Sequence, residues 1–116
     1  MRGLLSKVET SEYEVLETGS LILSQKGGNV KFFINDIIIE LCFENDANSE
    51  KNKLFADTIN DKYLKMTCKN FGEGAGPTEP IQVCLIDNME VYIKFIAFQI
   101  ENLPRIMYTF YKKVAE

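Results

Sequence analysis

The 116-residue chain contains no histidine. That absence removes Ser-His-Asp and Cys-His nucleophilic catalysis, the usual zinc sites and the commonest general base near neutral pH. The remaining soft nucleophiles are Cys42, Cys68 and Cys84. A thiol becomes reactive when a cation, a base or a helix N-terminus lowers its pKa. Cys68 instead shares its parity with Leu64 and Met66, the setting of a buried small hydrophobe, and Cys42 and Cys84 also fall inside β-type runs. An odd cysteine count with no CxxC spacing points to a reduced, cytoplasmic compartment.

Three further patterns carry possible chemistry. Asp46, Asn48 and Glu50 place oxygen ligands at alternating positions, as the start of a calcium loop does. Lys51 stands where such a loop needs glycine, Asp57 stands where it needs a bidentate glutamate, and Lys53 adds a second positive charge, so a solvated polar loop with no metal is expected. Gly72, Gly74 and Gly76, ahead of Pro77, resemble a phosphate-cradling stretch, but Pro80 and a β-branched run follow where a helix N-terminus is required, and Glu73 repels an anion. A flexible connection is expected, and such loops on a rigid scaffold also carry ligand sites. The 17 acidic residues leave many carboxylate pairs for glycoside chemistry, none marked by context. Glu40 lies in the most apolar run, on the face opposite Ile39 and Leu41. With no catalytic signature, no enzyme and no cofactor are expected.

The elements that position these residues are short runs rich in β-branched and aromatic side chains, punctuated by Gly, Asn, Asp and Pro. Tyr13–Glu17 and Ser20–Ser24 flank Thr18-Gly19. Val30–Ile34 follows Gly27-Gly28-Asn29, and Ile37–Phe43 follows Asn35-Asp36. Leu54–Ile59 and Tyr63–Lys69 flank Asn60-Asp61, while Ile81–Ile86 and Met89–Ile100 flank Asp87-Asn88. Ile106–Val114 closes the chain; its Met107, Phe110, Tyr111 and Val114 also fit a helical period after Pro104, but its composition favours a strand. Ser49–Asp57 has the composition for a short helical turn. About eight to nine short strands with Asn/Asp connectors predict an all-β single domain, a two-sheet antiparallel sandwich or small barrel.

Parity then sorts the faces. Ile37, Ile39, Leu41 and Phe43; Leu64, Met66 and Cys68; Ile81, Val83 and Leu85; and Val91, Ile93, Phe95 and Ala97 form the expected core. The opposite faces are mostly polar, with Phe33, Ile38, Cys42, Cys84, Ile86, Tyr92 and Ile96 as exceptions. Phe33, Ile38, Ile86, Tyr92 and Ile96 are therefore the candidate partner-binding surface. No stretch approaches the ~20 apolar residues of a membrane span, or a signal peptide's apolar core. A net charge of −4 with scattered basic residues argues against nucleic-acid binding.

Asn70-Phe71, Gly74, Gly76, Pro80-Ile81, Tyr92-x-x-Phe95 and Tyr108-Thr109-Phe110-Tyr111 resemble a family of small bacterial proteins of unknown function. The resemblance covers the C-terminal half, implies a sandwich-like all-β domain from a bacterium or phage, and carries no activity or functional residue.

The sequence reading is a non-catalytic interaction domain that binds a protein partner or itself through an outer sheet face or loops. A small-molecule or carbohydrate-binding module using the 72–80 loop is the alternative. A further one is an acidic phage-type inhibitor that presents carboxylates to the basic groove of a nucleic-acid-binding protein.

Overall fold

A computed structural model describes residues 13–45, 53–72 and 74–114, apart from the side chain of Cys84. It contains eight strands: β1 (Tyr13–Ile22), β2 (Gly27–Ile34), β3 (Ile37–Glu44), β4 (Lys53–Asn60), β5 (Tyr63–Lys69), β6 (Ile81–Ile86), β7 (Met89–Ile100) and β8 (Leu103–Lys113). Two four-stranded sheets face one another, sheet A in the order β1-β8-β7-β6 and sheet B in the order β2-β3-β5-β4. The sheets form a sandwich and do not close into a barrel. Sheet A is antiparallel throughout. Sheet B is mixed, because β5 pairs with β3 in parallel. The chain leaves β3, forms the edge strand β4, and returns by a hairpin to insert β5 beside β3.

The hairpins follow the turn chemistry. Asp87-Asn88 (φ 51° and 60°) and Glu101-Asn102 (φ 55° and 66°) both carry the two positive φ angles that a two-residue turn matched to strand twist requires. Thr18-Gly19 is no turn: β1 runs through it unbroken apart from a bulge between Val15 and Glu17. Gly19 serves close packing instead, since a Cβ there would lie 2.7 Å from the Tyr108 hydroxyl oxygen. Gly27-Gly28-Asn29 opens β2 rather than preceding it, and the turn falls earlier, closed by a 3.0 Å bond from the Gly27 N–H to the Ser24 carbonyl. Residues 103–113 are strand, not helix. The proposed helical turn at 49–57 lies partly outside the described residues, as does the calcium-like stretch 46–50; from Lys53 onward the chain is strand.

The core lies between the sheets. Ile37, Ile39, Leu41 and Phe43 from β3, Leu64, Met66 and Cys68 from β5, and Val91, Ile93, Phe95 and Ala97 from β7 are all at most 2% exposed, as parity requires. Edge-to-face rings tie the layers, Phe43 to Phe95 at 5.6 Å and Phe32 to Phe110 at 5.0 Å between centroids. β6 departs from the expectation. A bulge between Gln82 and Cys84 reverses its parity, so Leu85 is 60% exposed and Ile86 is buried at 1%. Ile81 keeps its expected face but is 36% exposed on the edge strand.

Candidate functional site

Strand register divides the five candidate residues between two outer faces and the core. Phe33 and Ile38 pair directly on the outer face of sheet B. Tyr92 and Ile96 lie on the outer face of sheet A, in register with Tyr111 and Met107. Ile86 is in the core and belongs to neither. The outer faces therefore have to be weighed separately.

On sheet A the outward side chains fall into cross-strand rows. At one end Tyr13, Tyr92 and Tyr111 cover each other and are nearly buried, with the Tyr13 and Tyr92 rings edge-on at 5.1 Å. Burial and then the neighbouring Tyr13 push the Tyr92 hydroxyl up to about 12. Toward the other end the rows are Ser20–Met107–Ile96, then Ile22–Arg105–Phe98, then Leu103–Ile100 at the hairpin. Ile22 (59% exposed) and Met107 (54%) lead this apolar end, with Ile96, Ile100 and Leu103 also exposed. Among them lies Arg105, whose Nε is buried and has no hydrogen-bond partner. Sequence reasoning found Ile96 by parity but missed Ile22, Ile100, Leu103 and Met107. The signal was present in the even-numbered residues of Met89–Ile100 and the odd-numbered ones of 103–111, had the last segment been placed beside the one before it.

On sheet B the outward row across β2, β3, β5 and β4 is Lys31–Glu40–Lys65–Asp57, alternating in sign. Glu40 is only 6% exposed despite facing away from the core. Its carboxylate accepts hydrogen bonds from the Tyr63 hydroxyl, the Asn29 amide at 2.8 Å and the Cys42 thiol at 3.6 Å. Those bonds, Tyr63 first, hold its pKa below the usual glutamate value against the opposing effect of burial. Lys31 caps the site over the Tyr63 ring at 5.5 Å. Every acceptor here is taken, so the cluster braces the sheet. Burial, and next the charge of Glu40, raise the Cys42 thiol's pKa, and burial alone pushes Cys68 up to about 11. Neither is an activated nucleophile.

The glycine loop has a structural task. The N–H groups of Phe95 and Ala97 donate to the carbonyls of Pro77 (3.1 Å) and Ala75 (2.7 Å), and the Gly74 N–H donates to Ala97. The loop thus continues the edge of β7 beyond the point where β6 stops pairing, with Phe71, Ala75 and Pro80 buried beneath. Gly76, at φ 108°, lies against the Phe95 ring, where a Cβ has no room. Gly72 and Gly74 have open space around them. Thr78 from this loop, with Thr18, Thr109, Lys94, Ile96 and Met107, lines a cavity of about 280 Å³ on the outer side of sheet A. Among the described residues no group of three or more metal-ligating side chains occurs, and no helix is long and apolar enough to cross a membrane.

Fold and surfaces together define an open two-sheet β-sandwich with one outer face crossed by a row of alternating charge and another that is apolar at one end. Residues 7–113 match a family described as a domain of unknown function, DUF6864, and the chain belongs to that family. The match spans nearly the whole chain. No curated protein and no solved structure shows a significant match to the chain.

Proposed function

We propose that this chain is a non-catalytic interaction domain that docks a protein surface, in the first instance a second copy, on the outer face of sheet A. One observation carries the reading: Ile22, Ile96, Phe98, Ile100, Leu103 and Met107 lie together around Arg105 on three neighbouring strands. By strand spacing and rise this apolar end measures roughly 15 Å by 17 Å, on the order of 250 Å². That is about a third of one partner's share of a standard interface, the rim supplying the rest. An apolar centre around one arginine, with Lys94 at its border and no Asp or Glu in its rows, is the composition of an interface core. The half-buried Arg105 side chain would bring its guanidinium to a carbonyl or carboxylate on the incoming surface. Native mass spectrometry across a dilution series tests it. The wild type should assemble, and Ile96→Ser with Met107→Ser should be monomeric at every concentration. A wild type that stays monomeric, with no in-cell cross-link that depends on these two residues, overturns the reading.

A second reading is favoured by the 280 Å³ cavity, which joins Thr78 of the 72–80 loop to Thr18, Thr109 and Lys94. Its size and hydroxyl lining suit a monosaccharide or a small anion. Thermal-shift screening of such ligands checks it, since a ligand bound only by the native state raises stability.

A further inference from the structure

We propose that the free edge of β2 receives an extended, acidic segment of another protein as a ninth strand. The sandwich has four edge strands, β1 and β6 in sheet A and β2 and β4 in sheet B. Bulges interrupt β1 between Val15 and Glu17, β4 between Thr58 and Asn60, and β6 between Gln82 and Cys84. Bulges of this kind twist an edge away from further pairing. β2 alone keeps an unbroken register, from Gly27 opposite Glu44 to Ile34 opposite Ile37.

The turn fixes which groups are open. Ile34 and Ile37 flank the two-residue Asn35-Asp36 connection, so they form a hydrogen-bonded pair, and such pairs recur at every second residue of an antiparallel ladder. Val30 and Phe32 thus bond inward to β3, while the N–H and C=O groups of Asn29, Lys31 and Phe33 point away from it. Among the described residues no strand pairs with that side. The flank is also incompletely covered. Val30, Phe32 and Ile34 face the core yet remain only partly buried, whereas Ile39, Leu41 and Leu64 deeper in the sheet are at 0% exposure. One more strand would meet the open backbone groups and cover these three side chains.

Charge selects the occupant. The outward row alternates Lys31–Glu40–Lys65–Asp57 and ends at the free edge on Lys31, so the next position calls for an acid. A second copy fits badly. The antiparallel register that uses all three open residues is centred on Lys31 and sets it directly against its own symmetry mate, and like charges placed so are destabilising. Phe33, 75% exposed beside Ile38, offers an apolar contact two residues along. The expected ligand alternates apolar side chains toward the core with an acidic side chain outward, the β-addition mode in which backbone bonds supply affinity and alternate side chains supply specificity.

The test uses the full chain and a capped, fluorescein-labelled peptide of seven alternating valines and glutamates, with the valine–lysine peptide as control. The acidic peptide should bind and slow hydrogen exchange at the Asn29, Lys31 and Phe33 amides. Lys31→Glu and the milder Lys31→Gln should each weaken it, the former by about three- to tenfold, and Lys31→Glu should turn preference toward the lysine peptide. Unchanged exchange on β7 and β8 certifies folding of both variants. Three outcomes overturn the proposal: no protection at millimolar peptide, protection already present in the dilute free protein (the chain's own segments fill the edge), or protection that rises only with protein concentration (a second copy fills it). Because Ile96 and Met107 are untouched, failure here leaves the sheet A reading standing, and the converse also holds.

Discussion

The two outer faces of the sandwich are built on the same pleat and treat their side chains in opposite ways. On sheet B a row of alternating charge crosses all four strands, and the one carboxylate drawn under cover, Glu40, has Tyr63, Asn29 and Cys42 donating to it. On sheet A the comparable rows hold Ile22, Met107, Ile96, Phe98, Ile100 and Leu103, and the one charged group among them, Arg105, has a buried Nε without a partner. A face whose polar groups satisfy each other gains little by being covered. A face of apolar side chains around one half-buried arginine gains apolar burial when it is covered. Local polarity alone does not separate them, since sheet B also exposes Phe33 and Phe55; the separation lies in whether the polar atoms already have partners.

The largest expected effect concerns what holds the faces apart. Gly76→Ala forces a Cβ into the Phe95 ring from a positive-φ backbone and should cost about 2–4 kcal/mol. Gly72→Ala, with open space around it, should stay within about 0.5 kcal/mol. Urea denaturation of the pair checks the contrast, and equal losses would mean the loop does not brace β7.

Next comes the polar face. Glu40→Ala leaves the Tyr63, Asn29 and Cys42 donors without their acceptor and should lower stability by about 1–3 kcal/mol at pH 7. The same network gives a pH signature. Because the folded-state pKa of Glu40 is depressed, its stabilisation is present above the unfolded glutamate value of about 4.3. It is lost as the pH falls through the lower folded value. The gap between wild type and Glu40→Ala should therefore narrow below pH 4, as urea midpoints at pH 7 and pH 3 would reveal. A gap that is constant with pH would sink the charged-acceptor account.

A smaller stability change than that of Glu40→Ala belongs to the apolar face. Ile96→Ser with Met107→Ser should alter the melting midpoint by no more than about 1 kcal/mol equivalent while abolishing association. If the same pair instead unfolds the domain, the face is structural and the contrast with sheet B collapses.

Much of this fold is legible from residue order. Alternation in β3, β5 and β7 marks Ile39, Leu41, Leu64, Met66, Val91, Ile93 and Phe95 as core, because a two-residue period and a buried face leave one register. Asn35-Asp36 and Asp87-Asn88 mark hairpins, because few residues tolerate positive φ. A bulge is different: one extra residue between Gln82 and Cys84 moved Ile86 from the expected outer face into the core and Leu85 out of it. Nothing in the local composition announces it.

The chain by itself determined the all-β class, the two layers of side chains and the absence of histidine chemistry, since these depend on residue type and near-neighbour spacing. Only the tertiary structure decided which strands adjoin. It set β5 beside β3 in parallel, gathered Ile22 from one end of the chain with Met107 from the other, and gave Glu40 its donors from β2 and β5. Strand order rests on long-range pairing, where contacts distant in sequence compete at nearly equal local propensity, and packing of the whole domain selects among them.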